Sequence, residues 1–309
     1  MNSNLNYGII GNCKSAALIN EDSSIDWLCL PQFDSASVFA KLLDRKKGGH
    51  FRINKGDYTI TQSYIENTSI LRTLFENKTA SFEVLDFMPR YENDTQSFYT
   101  PREVIRLIKP IKGTPKISVD YQPRLEYAAA ETKTYVKDQF IVSVYDHDNY
   151  DSLYLYSNLN PQDILSGTLM DLKETAFFSI SDDEKLNLPS LDQCLLDFER
   201  TKVYWLNWCD KTPHYNNYNA VIHRSAMTLK LLSFDKTGAI LAAATTSLPE
   251  SIGEVRNWDY RFSWIRDSSM VIRVISKLGH RKIVKDFIDY IIDLVPEKDE
   301  KFQIMYGIN

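Results

Sequence analysis

The sequence predicts a chain of two unlike halves, an N-terminal antiparallel β-sandwich followed by a helical region. Three observations predict it. Up to about Ser181, short apolar runs alternate with clusters of turn residues. Near Leu191 the apolar spacing lengthens to that of a helix, and helical runs with stop signals follow. The composition, 43% hydrophobic and 25% charged over 309 residues, is that of a folded chain with one large or two ordinary domains.

The β half can be read in order. Ala16 to Asn20 and Ile25 to Leu30 flank the turn-rich Glu21-Asp22-Ser23-Ser24, as in a hairpin. Tyr58 to Ile65 starts with period-two alternation. Leu71 to Phe75 and Ala80 to Phe87 flank Glu76-Asn77-Lys78-Thr79, a second hairpin signal. Further strands are expected at Glu103 to Ile108, Lys116 to Tyr121, Phe140 to Tyr145, Ser152 to Ser157 and Thr175 to Ile180. Many short strands with frequent turns favour a sandwich.

In the second half, Leu191, Leu195, Phe198, Trp205 and Trp208 follow a helical period, with Arg200, Lys202 and Lys211 free to take the other face. Thr212-Pro213 ends this linker helix. A second helix is expected from about Ala220 to Phe234, before Thr237-Gly238. A third runs from near Ser263 to Leu278, with Gly279 as its stop, and a fourth from about Lys282 to Leu294, before Pro296. The expected domains are 1–188 for the sandwich, 189–215 for the linker helix and 216–309 for the helical region.

Bulk properties exclude several function classes. A net charge of -5 suggests no nucleic-acid partner. No apolar stretch is long enough to span a bilayer, and the polar start Met1 to Asn6 lacks the pattern of a secretory signal, so a cytoplasmic protein is expected. Cys13, Cys29, Cys194 and Cys209 have no CxxC spacing and read as buried thiols. The five scattered histidines form no HxxxH pair, so no metal site is expected.

Two places could carry chemistry. Trp264 and Asp267 lie three apart, which puts them on one face at the start of a helix. An aromatic ring beside a carboxylate suits a sugar: the ring stacks on a pyranose and the carboxylate accepts from its hydroxyls. Arg266 can hold Asp267 or reach a hydroxyl. The same residues also fit a buried Trp beside an ordinary Arg-Asp pair, with the helix dipole favouring the Asp. In the preceding loop, Glu250 or Glu254 could serve as a general acid; equally, the loop could simply be solvated, or Glu250 could tie a turn together.

Longer blocks extend this segment. They are Arg224 to Leu232, Thr237 to Glu250, and Arg256-Asn257-Trp258-Asp259-Tyr260 through Trp264-Ile265-Arg266-Asp267. They resemble the opening of the catalytic domain of glycoside hydrolase family 15, the glucoamylase and trehalase group. Tyr7 to Asn12, Ser24 to Pro31 with Phe33-Asp34-Ser35, and Gln303 to Ile308 resemble other parts of its prokaryotic members.

The resemblance implies an N-terminal β-sandwich, a linker helix and the first helices of a twelve-helix (α/α)6 barrel, here incomplete. It implies inverting hydrolysis of terminal α-glucosidic bonds without a cofactor, by two glutamates roughly 6.5–9.5 Å apart. It assigns Tyr260, Trp264, Arg266 and Asp267 to the terminal-glucose subsite. It assigns no catalytic residue to this chain, because the general acid and base are expected beyond Asn309. The implied substrate is a maltooligosaccharide, a starch-type glucan or trehalose. A partial barrel would leave apolar helix faces for self-association or for a complementing C-terminal chain. The alternatives are a non-catalytic glucan-binding module and a structural remnant of such an enzyme.

Overall fold

The computed structural model describes residues 5–54, 56–93, 97–145, 152–248, 253–294 and 301–309. The chain divides into two compact units, Met1–Tyr204 and Trp205–Asn309.

Among the described residues, the first unit carries eighteen strands. The first nine are β1 (Tyr7–Gly11), β2 (Ala16–Asn20), β3 (Ser24–Cys29), β4 (Ser37–Phe39), β5 (His50–Ile53), β6 (Thr59–Tyr64), β7 (Leu71–Glu76), β8 (Ser81–Phe87) and β9 (Tyr91–Glu92). The next seven are β10 (Phe98–Tyr99), β11 (Glu103–Lys112), β12 (Lys116–Ile117), β13 (Val119–Gln122), β14 (Thr132–Lys137), β15 (Phe140–Tyr145) and β16 (Ser152–Ser157). A short helix α1 (Pro161–Ser166) precedes β17 (Met170–Asp171) and β18 (Ala176–Ser181).

A six-stranded sheet runs β1-β2-β3-β5-β13 with β4 beside β3, and an eight-stranded sheet runs β14-β15-β16-β18-β11-β8-β7-β6. Every pairing is antiparallel. One core joins the two sheets: Ile10, Ile25 and Phe51 from the first meet Phe82, Val104, Ile108 and Phe178 from the second. The expected sandwich is therefore present.

Strand β11 shows why its sequence reads as a nearly unbroken apolar run. Val104 and Ile108 point into the sandwich, while Ile105 and Leu107 point out beneath a second apolar layer. That layer includes Cys194 and Phe198 of α2 (Leu191–Cys209), so the first half of this helix caps the outer face of the eight-stranded sheet. A central strand covered on both faces has no polar face to alternate with.

Between Val104 and Ile108, on the inward face, stands Arg106, fully enclosed with Asp86. Its Nε donates to Asp86 Oδ1 at 2.6 Å, its Nη1 to the Phe51 carbonyl at 3.0 Å, and its Nη2 to the Ser23 carbonyl at 2.6 Å. The side chain thus ties β8 and β11 to the opposite sheet. Burial pushes the Asp86 carboxyl upward, and the Arg106 charge opposes that shift.

One expectation changes. The strand expected over Lys116 to Tyr121 breaks at Ser118, because its halves pair with different partners, β12 with β17 and β13 with β5. The strand β14 was not anticipated: it alternates with no fully buried side chain, so its polar sequence gave no apolar signal.

The second unit contains α3 (Asn219–Leu231), β19 (Ser263–Trp264), α4 (Ile265–Lys277), α5 (Arg281–Asp293) and β20 (Met305–Tyr306). Gly279 follows α4 at φ +84°, as its stop role requires. Gly238 sits at φ +86°, and a Cβ there would lie 2.2 Å from the Asp286 carbonyl oxygen of α5, so only glycine fits this approach. The C-terminal segment is tied back: Thr237 Oγ1 donates to the Ile308 carbonyl at 2.6 Å and Tyr290 OH to the Gly307 carbonyl at 2.7 Å.

Candidate functional site

All four expected subsite residues lie in the second unit, at the junction of a loop, a two-residue strand and a helix. The extended segment after Gly238 receives the loop from one side. Ala242 N donates to the Phe262 carbonyl at 3.3 Å and Ala243 N to the Tyr260 carbonyl at 2.8 Å. Strand β19 then pairs with β20, Ser263 opposite Tyr306 and Trp264 opposite Met305. Helix α4 starts immediately afterwards.

Trp264 differs from the expectation. It is not in the first helical turn but before it, with extended backbone at φ -85°, ψ 118°. Spacing alone could not see the strand, since β19 is closed by residues about forty positions later. Trp264 is only 9% exposed. Its Nε1 donates to the Asp259 carbonyl at 3.3 Å. Tyr260 stacks beside it with ring centroids 6.0 Å apart, and Trp258 meets it edge-on at 6.2 Å and 88°.

Arg266 and Asp267 occupy the first turn of α4, where the helix dipole favours the carboxylate. Arg266 Nε and Nη2 both donate to Asp267 Oδ2, at 3.2 and 2.9 Å. Both contacts fall on one oxygen, so Oδ1 takes no part in this pair. The Arg266 guanidinium also lies 5.7 Å from the Trp264 ring centroid. Tyr260, Trp264, Arg266 and Asp267 are therefore gathered around one indole. A partly exposed carboxylate and a guanidinium stand beside aromatic faces, a set suited to hydroxyl hydrogen bonds and pyranose stacking.

The chemistry-bearing loop offers less. Glu254 is exposed, and its backbone carbonyl accepts from Asn257 Nδ2 at 2.9 Å. Glu250 lies outside the described residues. Among the described residues, no group of three or more His, Cys, Asp and Glu side chains is placed to hold a metal ion, and no helix is long and apolar enough to cross a membrane.

Two family models match this chain. Residues 6–154 match the model described as trehalase-like, N-terminal, and residues 216–309 match glycosyl hydrolases family 15. Residues 216–309 are a glycosyl hydrolases family 15 segment. This segment contains the whole aromatic and Arg-Asp cluster. Relatives include a trehalase of Thermoplasma volcanium, 32% identical over 98% of this chain and 49% of the relative. A trehalase of Thermoplasma acidophilum is 32% identical over 94% of this chain and 51% of its own length. A trehalase of Mycolicibacterium smegmatis is 29% identical over 98% and 49%. The chain thus spans about half the length of the curated relatives it matches.

Sequence reasoning assigned no role to Asp259 and Arg261. Arg261 is buried and clasps Asp259, with Nε 3.0 Å from Oδ1 and Nη2 2.7 Å from Oδ2. The clasp folds the family 15 loop back on itself, so that residues 258, 260 and 264 converge. The signal was the Asp-x-Arg spacing, which reads equally well as exposed charge until the loop is seen.

Proposed function

We propose that this chain supplies the sandwich, linker helix and first barrel helices of an inverting trehalase-type hydrolase, and that Tyr260, Trp264, Arg266 and Asp267 hold the terminal glucose. The Arg266-Asp267 pair carries this reading, because Arg266 fixes Oδ2 and Oδ1 can accept from a sugar hydroxyl. The names of the relatives favour trehalose over a starch-type glucan. In this reading one glutamate protonates the leaving oxygen and another activates water across roughly 6.5–9.5 Å. Neither glutamate is assigned among the residues of this chain, whose part in this reading is to hold the sugar.

Calorimetry and glucose release test the two parts separately. Trehalose should bind the purified chain, and Asp267→Asn should weaken binding by about tenfold to a hundredfold, the cost of losing a hydrogen bond to a charged group. Glucose release at an ordinary enzymatic rate would overturn the placement of the acid and base.

A second reading, association through the helical unit, is favoured by one observation. Met270 and Val274 on α4, and Ile288 and Ile292 on α5, form exposed apolar pairs at helical spacing. Another copy, or a chain carrying further barrel helices, would cover them. Sedimentation showing a clean monomer with low dye binding would count against it.

A further inference from the structure

The tryptophans of this chain divide by exposure. Trp27, Trp205, Trp208 and Trp264 are all buried, while Trp258 is 50% exposed. A half-exposed indole is unremarkable on a loose loop, but this one is held. Its ring leans edge-on against Trp264, the next residue is clasped by Arg261, and the Asp259 carbonyl accepts from Trp264 Nε1. On the loop side, Asn257 Nδ2 donates to the Glu254 carbonyl. Holding an aromatic face rigid while leaving it wet is what a stacking surface needs, because little ordering remains to be done when a ligand arrives.

Burial also redistributes the roles among the rings. Trp264 has Tyr260 stacked beside it and Trp258 on its flank, so little of its own surface is open. Tyr260, 37% exposed, and Trp258 present the open surface of the cluster.

We infer that Trp258 is a saccharide-contacting residue of this site, that Trp264 is the post supporting it, and that Asp259 and Arg261 are its positioning pair. The ligand class is a neutral α-glucoside. The indole covers an apolar pyranose face while Asp267 and Arg266 take hydroxyls. This rests on the glucoside-binding reading above.

The experiment uses the full chain and trehalose as probe. Because the other tryptophans are buried, acrylamide should quench chiefly Trp258, and saturating trehalose should protect it. Trp258→Ala should weaken calorimetric binding about tenfold or more, the range for truncating a central aromatic contact. Trp258→Phe should keep most of the affinity while abolishing the protected fluorescence, and it also serves if the alanine variant fails to fold. Arg261→Ala should lower affinity without removing the accessible indole, a result that separates positioning from contact. If trehalose binds, Asp267→Asn weakens binding as expected, and Trp258→Ala leaves affinity and quenching unchanged, the inference falls while the glucoside reading stands. If wild-type protein binds no trehalose, the glucoside reading itself fails, and this inference with it.

Discussion

The sandwich and the helical unit spend their apolar residues differently. In Met1–Tyr204 the inward residues of both sheets meet in one core, and the outward residues of the eight-stranded sheet are covered by the first half of α2. In Trp205–Asn309, α4 buries Ser268 and Ile275 and α5 buries Ile283, Phe287 and Tyr290, while Met270, Val274, Ile288 and Ile292 remain in solvent. The facing sheets of the first unit close on each other. The other unit keeps apolar surface in reserve, and it is the one that carries the Arg-Asp and aromatic cluster. A closed core tolerates little change, whereas an open face can change partners without unfolding.

The largest test of that contrast is Arg106→Ala. It would leave Asp86 enclosed without its cation, and would strip donors from the Ser23 and Phe51 carbonyls. Breaking a buried pair this way costs about 3–5 kcal/mol. Urea unfolding of the variant should show that loss, and a loss below about 1 kcal/mol would mean the sandwich interior is wetter than described.

A matched pair of truncations sharpens the comparison. Phe82 is fully buried, stacked on Phe75 at 4.5 Å and edge-on to Tyr58 at 5.2 Å. Phe82→Ala should cost about 3–5 kcal/mol. Ile288→Ala, on the open face of α5, should stay within about 0.5 kcal/mol. If the two losses converge in denaturant titrations, Ile288 is covered in solution, and association of the helical unit explains it.

Legibility in the sequence follows the same line. Hairpins such as β2-β3 and β7-β8 were readable because turn residues sit between apolar runs. Helices α3, α4 and α5 were readable to within a few residues from spacing and their stops. Strands without a buried stripe, such as β14, were not, because a polar sequence gives no apolar signal even where its partner β15 follows directly. At the site, Arg266 and Asp267 were legible as a pair from adjacency. The extended backbone of Trp264 and the exposure of Trp258 were not, since both depend on β20 and on the Asp259-Arg261 clasp.

His280 and Asp182, one in each unit, are separated by the sign of their response to acid. In the helical unit, His280 is buried, its ring stacked on Trp208 at 3.9 Å and its Nε2 hydrogen-bonded to Thr212 Oγ1 at 2.8 Å. Burial, then the charges of Lys211 and Lys230, push it down from 6.5 to about 4. Between those values the unfolded chain binds a proton that the folded chain refuses, so this group's contribution is full above 6.5 and is lost as pH falls toward 4. In the sandwich, Asp182 goes the other way. Burial raises it from 3.8 to about 6 although Arg102 donates to it at 3.0 Å. There the folded state holds the extra proton, so stability is gained as pH falls from 6 to 3.8. Each slope is bounded at about 1.4 kcal/mol per pH unit. Other carboxylates, Asp120 among them, are lowered and blur the total, so the check is by difference. His280→Gln should flatten the acid loss of the helical unit between pH 6.5 and 4. Asp182→Asn should raise sandwich stability near pH 7 and lose that advantage below pH 4. Melting curves for both variants that run parallel to wild type across this range would show that neither group is held as its surroundings require.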